Sequence, residues 1–167
     1  MNFALLIIDM QKAFYVGHDK ESMDHASEYI NYTIELFRKN GNKIVWIQDE
    51  DKSDGVIKGT EGFEIIEGLK PLNNKKVIVK EYGNAFNKTN LQEYITSNKI
   101  TTLIITGYCA EHCVLPTYIG AKDNDITPII LKGAIASGNN EHIRFVEEIT
   151  DIITVNILEK LITNKLQ

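Results

Sequence analysis

The chain is short of cysteine, of proline and of long apolar runs, and each shortage closes off a class of protein. Two cysteines in 167 residues are too few for a disulfide scaffold, and nothing else in the chain points to secretion. No apolar stretch approaches the roughly 20 residues that a membrane-spanning helix needs. The opening MNFALLIIDMQKAF has only a brief apolar run and no basic stretch before it, so it is not expected to be a signal peptide. Basic residues are outnumbered, with 18 Lys and Arg against 23 Asp and Glu and a net charge of -5. Nucleic acid or an anionic membrane would need a basic face, so neither is an expected partner. Repeats, low-complexity tracts and Pro- or Ser-rich linkers are missing too. The expectation is one cytoplasmic domain over residues 1–167 with reduced cysteines.

What is present is ordinary for a globular chain, at 43% hydrophobic and 25% charged residues. FALLIID (Phe3–Asp9), KIVWIQ (Lys43–Gln48), KVIVK (Lys76–Lys80), TTLIIT (Thr101–Thr106) and ITPIIL (Ile126–Leu131) read as strands. They are apolar throughout rather than alternating, the pattern of strands covered on both faces in a parallel sheet. A short sixth strand is expected at Asp151–Ile153. Between the strands, Met23, Ala26, Ile30, Thr33 and Phe37 repeat at helical spacing and Gly41 supplies a stop. Further helices are predicted at Leu91–Ser97, Val114–Lys122, His142–Ile149 and Asn156–Leu161, with a long loop over Ser53–Gly62. The predicted fold is α/β: a single doubly wound, mainly parallel sheet of about six strands with helices on both faces.

In such a sheet the strand C-termini line one edge, and ligands bind in the crevice there. Asp9, Lys80 and, just past its strand, Cys113 fall on that edge. A cysteine is a nucleophile only as thiolate; a helix N-terminus and a nearby cation favour that form, and a carboxylate can take the proton. Cys113 is expected in the first turn of the helix after the fourth strand, with Pro116 tolerated there, Lys80 as the cation and Asp9 as the base. Backbone N–H groups of the turn would face a tetrahedral oxyanion. Taken singly, each residue also has a plain reading: a packed cysteine, a capping aspartate, a solvated lysine.

Longer motifs narrow the choice. Leu6-Ile7-Ile8-Asp9-Met10-Gln11 with Phe14, Gly59-Thr60-Glu61-Gly62-Phe63-Glu64, Val79-Lys80 with Ala85-Phe86 and Thr89, Gly107–Val114, and Ala134-Ile135-Ala136-Ser137 follow in order along nearly the whole chain. In these segments the chain resembles the isochorismatase-like cysteine hydrolases. The resemblance implies a catalytic Asp9, Lys80 and Cys113, with Cys113 attacking a carbonyl carbon and Asp9 passing the proton to the leaving amine. It implies an oxyanion hole from the amides of Ala110 and Cys113, and a cis peptide between Cys109 and Ala110. A pocket lined by Phe14, Tyr82, Phe86 and Tyr108 is expected to take a small, flat or apolar acyl group. Homo-oligomers, dimers or tetramers, are common in the family. Cys109 is expected to be a small residue that fits the turn, and His112 is given no base role.

The chain also departs from the family pattern. Ala110 stands where Thr is usual, and Asn84 where Ser is common. Zinc-binding nicotinamidases of the family carry Asp-x-His after the second strand; here Asp49-Glu50-Asp51 has no histidine. Carboxylates alone suit a harder cation than zinc, and a solvated acidic loop is the plainer reading, so no metal and no cofactor are expected. A zinc site from Cys109, His112 and Cys113 lacks a fourth partner. No glycine follows the first strand to admit a dinucleotide pyrophosphate. The expected activity is hydrolysis of a small amide or related acyl compound through an acyl-enzyme on Cys113. Two alternatives stand beside it: an enol-ether hydrolase of the isochorismatase type driven by Asp9, and a metabolite-binding or redox-sensing domain without catalysis.

Overall fold

The computed structural model describes residues 2–163. Six strands, β1 (Phe3–Ile8), β2 (Lys43–Asp49), β3 (Lys76–Lys80), β4 (Thr102–Tyr108), β5 (Thr127–Ala136) and β6 (Ile152–Ile153), form one sheet in the order β3-β2-β1-β4-β5-β6. Every neighbouring pair is parallel. Five α-helices among the described residues connect them: α1 (Gly17–Lys39), α2 (Leu91–Ser97), α3 (Leu115–Asp123), α4 (Asn140–Ile149) and α5 (Val155–Thr163).

Successive strand residues point to opposite faces, so both faces need apolar side chains. Leu5 and Ile7 pack with Met23, Ala26, Ile30 and Phe37 of α1 and with Leu158 and Ile162 of α5. Leu6 and Ile8 pack on the other side with Leu91 of α2, Val114, Tyr118 of α3 and Val146 of α4. That double cover is why the strand sequences read as unbroken apolar runs. Full burial of a side chain such as Phe37 contributes about 1.5–3 kcal/mol. Helix α1 begins earlier than its apolar repeat suggests and stops at Asn40 before Gly41, which turns at φ 67.

From β1 the chain winds one way to β2 and β3, then returns past β1 to β4 and winds the other way. The strand order therefore reverses between β1 and β4, and the crevice outside their C-terminal ends is where such sheets bind ligands. Gly107 sits against Ile8 at this point. Its φ is 113, and a Cβ there would lie 2.1 Å from the Ile8 carbonyl oxygen, so only glycine fits.

Strand β5 is longer than ITPIIL predicts. Its register against β4 jumps from Ile105↔Ile130 to Gly107↔Ile135. The extra residues include Gly133 at φ 82, and Lys132-Gly133 reads locally as a turn. The pairing with β4 keeps it in the sheet instead, and carries Ser137 up beside the end of β4.

Candidate active site

Three adjacent strands end in charge. Asp9 follows β1, Asp49 closes β2 and Lys80 closes β3, with Asp49 and Lys80 in register across the ladder. Lys80 Nζ lies 2.7 Å from Asp9 Oδ2 and 2.8 Å from Asp49 Oδ1, and its side chain is fully buried. The same ammonium is 3.6 Å from Cys113 Sγ. Asp9, Lys80 and Cys113, far apart in sequence, are thus brought together as expected from the strand ends.

Local geometry aims each of them. Asp9 has left-handed backbone, φ 50, with its N–H donating to Ile47 at 2.9 Å; that conformation costs a non-glycine residue stability and is typical of functional positions. Gln11 was singled out only as part of a motif, yet it fixes the neighbouring strand. Its amide donates to the carbonyls of Asp49 and Phe63 at 3.0 and 3.1 Å, and its oxygen accepts from Asp49 N at 2.7 Å. Gln48 also donates to Phe63 O, at 2.7 Å. These bonds seat the Gly59–Glu64 motif on the ends of β1 and β2. Opposite, the loop after β3 presses on the turn that carries Cys113. A Cβ at Gly83 would lie 2.4 Å from the His112 carbonyl oxygen, so the backbones meet there.

Cys113 is not in the first turn of α3. Residues Ala110–Val114 form a wider turn ahead of it, in which the amides of His112, Cys113 and Val114 all donate to the Cys109 carbonyl, at 3.2, 2.9 and 3.0 Å. The cis peptide is Tyr108–Cys109, one residue before the expected position. Because the turn hangs from the Cys109 carbonyl, the reversal from strand to turn falls ahead of Cys109. The Cys113 amide is therefore already engaged at the Cys109 carbonyl.

Burial pushes the Asp9 carboxyl up to about 6, against the pull of Lys80; the charge of Asp49 adds to the rise. Neither Asp9 oxygen has a hydrogen bond of full geometry: the contact with Lys80 is an ion pair, and the Cys113 thiol faces the same carboxylate. Burial alone would discharge Lys80, but the carboxylates of Asp9 and Asp49 outweigh it and hold the ammonium charged, above its usual range. The Cys113 thiol is pushed up by burial and then by Asp9, and Lys80 pulls the other way without prevailing. This reverses the expected net preference for thiolate. The free protein holds a thiol next to a base rather than a standing thiolate.

The predicted pocket residues divide. Phe14 and Tyr108 stack, with ring centroids 5.3 Å apart, on the α1 side. Phe86 and Cys113 each pack against the other core cluster. Tyr82 is brought to neither group: it is 41% exposed and its hydroxyl accepts from Lys88 at 2.9 Å. A cleft of about 800 Å³ lies elsewhere, between α1, the end of β5 and α4; Ser22, Lys132, Ser137 and Arg144 line it, and Asp9, Lys80 and Cys113 do not.

The acidic segment does not fit zinc. Asp49 is committed to Lys80, and Asp51 accepts from Ser53 N and Oγ at 2.8 and 2.5 Å. Among the described residues no group of three or more His, Cys, Asp and Glu could hold a metal ion.

Comparison with known proteins identifies the family. The family model for the isochorismatase domain matches residues 3–152. The chain belongs to the isochorismatase family. An uncharacterized isochorismatase family protein of Bacillus subtilis, YrdC, is 38% identical over 120 residues, 68% of this chain and 63% of that protein. The chain thus spans less than two thirds of that relative's length. N-carbamoylsarcosine amidase of Arthrobacter sp is 39% identical over 72 residues, 43% of this chain and 27% of the amidase. Among solved structures, an isochorismatase-like hydrolase from Alkaliphilus metalliredigens superposes with a TM-score of 0.84 at 25% identity, covering 94% of each chain.

Proposed function

We propose that this family member is a cysteine hydrolase of a small amide or related acyl compound, working through an acyl-enzyme on Cys113. One observation carries the reading: a buried lysine touches both a buried, imperfectly bonded carboxylate and a thiol, at 2.7 and 3.6 Å. Asp9, poised near neutrality, takes the Cys113 proton as sulfur attacks the carbonyl carbon. Lys80 stabilises the sulfur anion while it exists, which a thiol raised at rest requires. The oxyanion is assigned to the amides of the turn, Ala110 and Cys113. The second would be a shared donor, as it also serves Cys109 O. Asp9 then returns its proton to the leaving amine, and water attacks the thioester with Asp9 as base. No step needs a metal.

The amide class is supported by the partial match to an N-carbamoylsarcosine amidase and by the flat faces of Phe14 and Tyr108. The same reading makes the chain a cytoplasmic homo-oligomer, dimer or tetramer. Free Cys109 and Cys113 support the compartment. Exposed Phe145 and Ile149 of α4 and Ile152 of the edge strand support assembly, which light scattering would measure.

Ammonia release from N-carbamoylsarcosine, pyrazinamide and nicotinamide, and turnover of isochorismate, test the reading in wild type, Cys113→Ala and Asp9→Asn. Amide hydrolysis that disappears in both variants is the expected result. Isochorismate turnover surviving in Cys113→Ala would transfer the function to Asp9 alone. Binding without turnover would make the chain a sensor.

A further inference from the structure

Behind the nucleophile turn lies a second polar cluster that the proposed chemistry does not use. Glu111, two residues before Cys113, turns away from Lys80. Its Oε2 accepts from the Cys109 thiol at 3.0 Å. Its Oε1 accepts from the Ser137 hydroxyl at 3.1 Å and meets His142 Nδ1 at 2.5 Å. The partners come from three places: the turn itself, the raised end of β5 and the first turn of α4.

The hydrogen bonds of this cluster define its protons. Asn139 caps α4, its Oδ1 accepting from Glu141 N at 3.0 Å. That orients the amide so that Nδ2 faces His142 Nε2 at 3.2 Å. A donor facing Nε2 makes that nitrogen the acceptor, so the ring proton is on Nδ1 and is donated to Glu111. Burial would raise the Glu111 carboxyl, but the Cys109 thiol, its own amide, His142 and Ser137 hold it down at about 2. Burial and this carboxylate in turn push the Cys109 thiol up to about 12. Cys109 is therefore a donor here and not a second nucleophile. Ser137 is tied down too: its N–H donates to Ser22 Oγ of α1, and its Oγ accepts from Asn139 N, both at 3.1 Å.

We propose that Glu111 is a positioning residue, which clamps the turn carrying Cys113 to β5 and α4 through Ser137, Cys109 and the Asn139–His142 relay. The proposal rests on the reading of Cys113 as nucleophile. Glu111 does not touch the reacting atoms. It acts through Cys109, whose carbonyl collects three amides of the turn, that of Cys113 among them. A carboxylate suits this task because it accepts from several donors at once, which neither Gln nor a hydrophobic residue can match. A displacement of the sulfur by about 1 Å would cost on the order of 10² in rate.

The test uses Glu111→Gln, His142→Ala and His142→Asn in the full chain, with Cys113→Ala alongside. His142 is half-exposed, with 46% of its side chain accessible, so its variants probe the clamp even if Glu111→Gln folds poorly. Asparagine places an amide N–H about where the ring has Nδ1. Two readouts are taken: hydrogen exchange of the peptide spanning 109–115, and steady-state hydrolysis of the amide that wild type cleaves best. Glu111→Gln and His142→Ala are expected to speed exchange in that peptide and to lower kcat about tenfold or more at unchanged KM. His142→Asn is expected to restore most of both. Exchange and kcat within about twofold of wild type in both broken variants, or His142→Asn no better than His142→Ala, overturns the clamp. With Cys113→Ala inactive, that outcome removes the clamp and leaves the nucleophile. If hydrolysis survives Cys113→Ala, the nucleophile reading fails and the clamp, having nothing to position, falls with it.

Discussion

Cys109 and Cys113 sit at the two ends of one turn, and each thiol is pushed up by burial and by a carboxylate, Glu111 for the first and Asp9 for the second. They differ in the next neighbour. Cys113 touches the buried ammonium of Lys80, so losing its proton leaves an anion beside a cation in a low-dielectric setting. Cys109 meets the Ser137 hydroxyl and, among the described residues, no cation, so losing its proton would set two anions together. Burial alone does not separate the proposed nucleophile from its neighbour. The charge behind the carboxylate does.

Removing each sulfur tests that contrast most severely. Cys113→Ala is expected to lower kcat by a factor on the order of 10⁴ or more. Cys109→Ser, which keeps a donor to Glu111, is expected to cost about tenfold or less. Equal losses in ammonia release would mean that the two thiols are not distinguished as described. Lys80→Met probes the cation itself. It leaves buried Asp9 and part-buried Asp49 without their shared partner, so unfolding in urea should show a loss of about 3–5 kcal/mol, with turnover abolished.

The proton on Asp9 gives a third, smaller effect. Its folded carboxyl is raised from 3.8 to about 6, so the folded chain holds this proton over a range where the unfolded chain has released it. Its contribution is full below the unfolded value and is lost as pH rises through about 6. At about 1.4 kcal/mol per unit the loss comes to about 3 kcal/mol by neutral pH. The stability difference between wild type and Asp9→Asn, followed by urea midpoints, should therefore move against wild type as pH rises from 4 to 7. A difference independent of pH would sink this.

Activity should follow the same group in the opposite sense, falling as pH drops through about 6 because Asp9 must be ionised to accept the thiol proton. Asp49→Asn removes a charge that raises Asp9 and frees Lys80 to serve Asp9 alone. The acid limb of kcat/KM should move to lower pH, by about one unit. An unmoved or raised limb would show that Asp49 only holds the lysine in place. The mildest effect is expected at Tyr82, exposed and paired with Lys88. Tyr82→Ala should change KM by about threefold or less, whereas Phe86→Ala, which removes a ring packed on the same core cluster as Cys113, should change it by more.

How much of this was legible from sequence follows from the range of the forces involved. The strands, five helices and parallel sheet come from local apolar patterns that the double-sided core imposes. The edge holding Asp9, Lys80 and Cys113 follows from strand ends alone. Strand β5 was cut short because its bulge at Lys132-Gly133 carries a local turn signal, and only pairing with β4 overrides it. Asp49 was seen as the remnant of a metal position, since nothing in the order of residues tells that Lys80 lies one strand away. The net rise of the Cys113 thiol was missed because helix and lysine were weighed without the desolvation that packing adds.

The sequence by itself determined the α/β class, the edge where Asp9, Lys80 and Cys113 gather and the residue types available there, because patterning and motif order act along the chain. Only the tertiary structure decided which carboxylate faces which thiol, that one lysine serves two aspartates, and that Ser137 and His142 reach Glu111. Those contacts join residues from separate strands and helices, and their energies depend on ångström distances and burial that no spacing along the chain encodes.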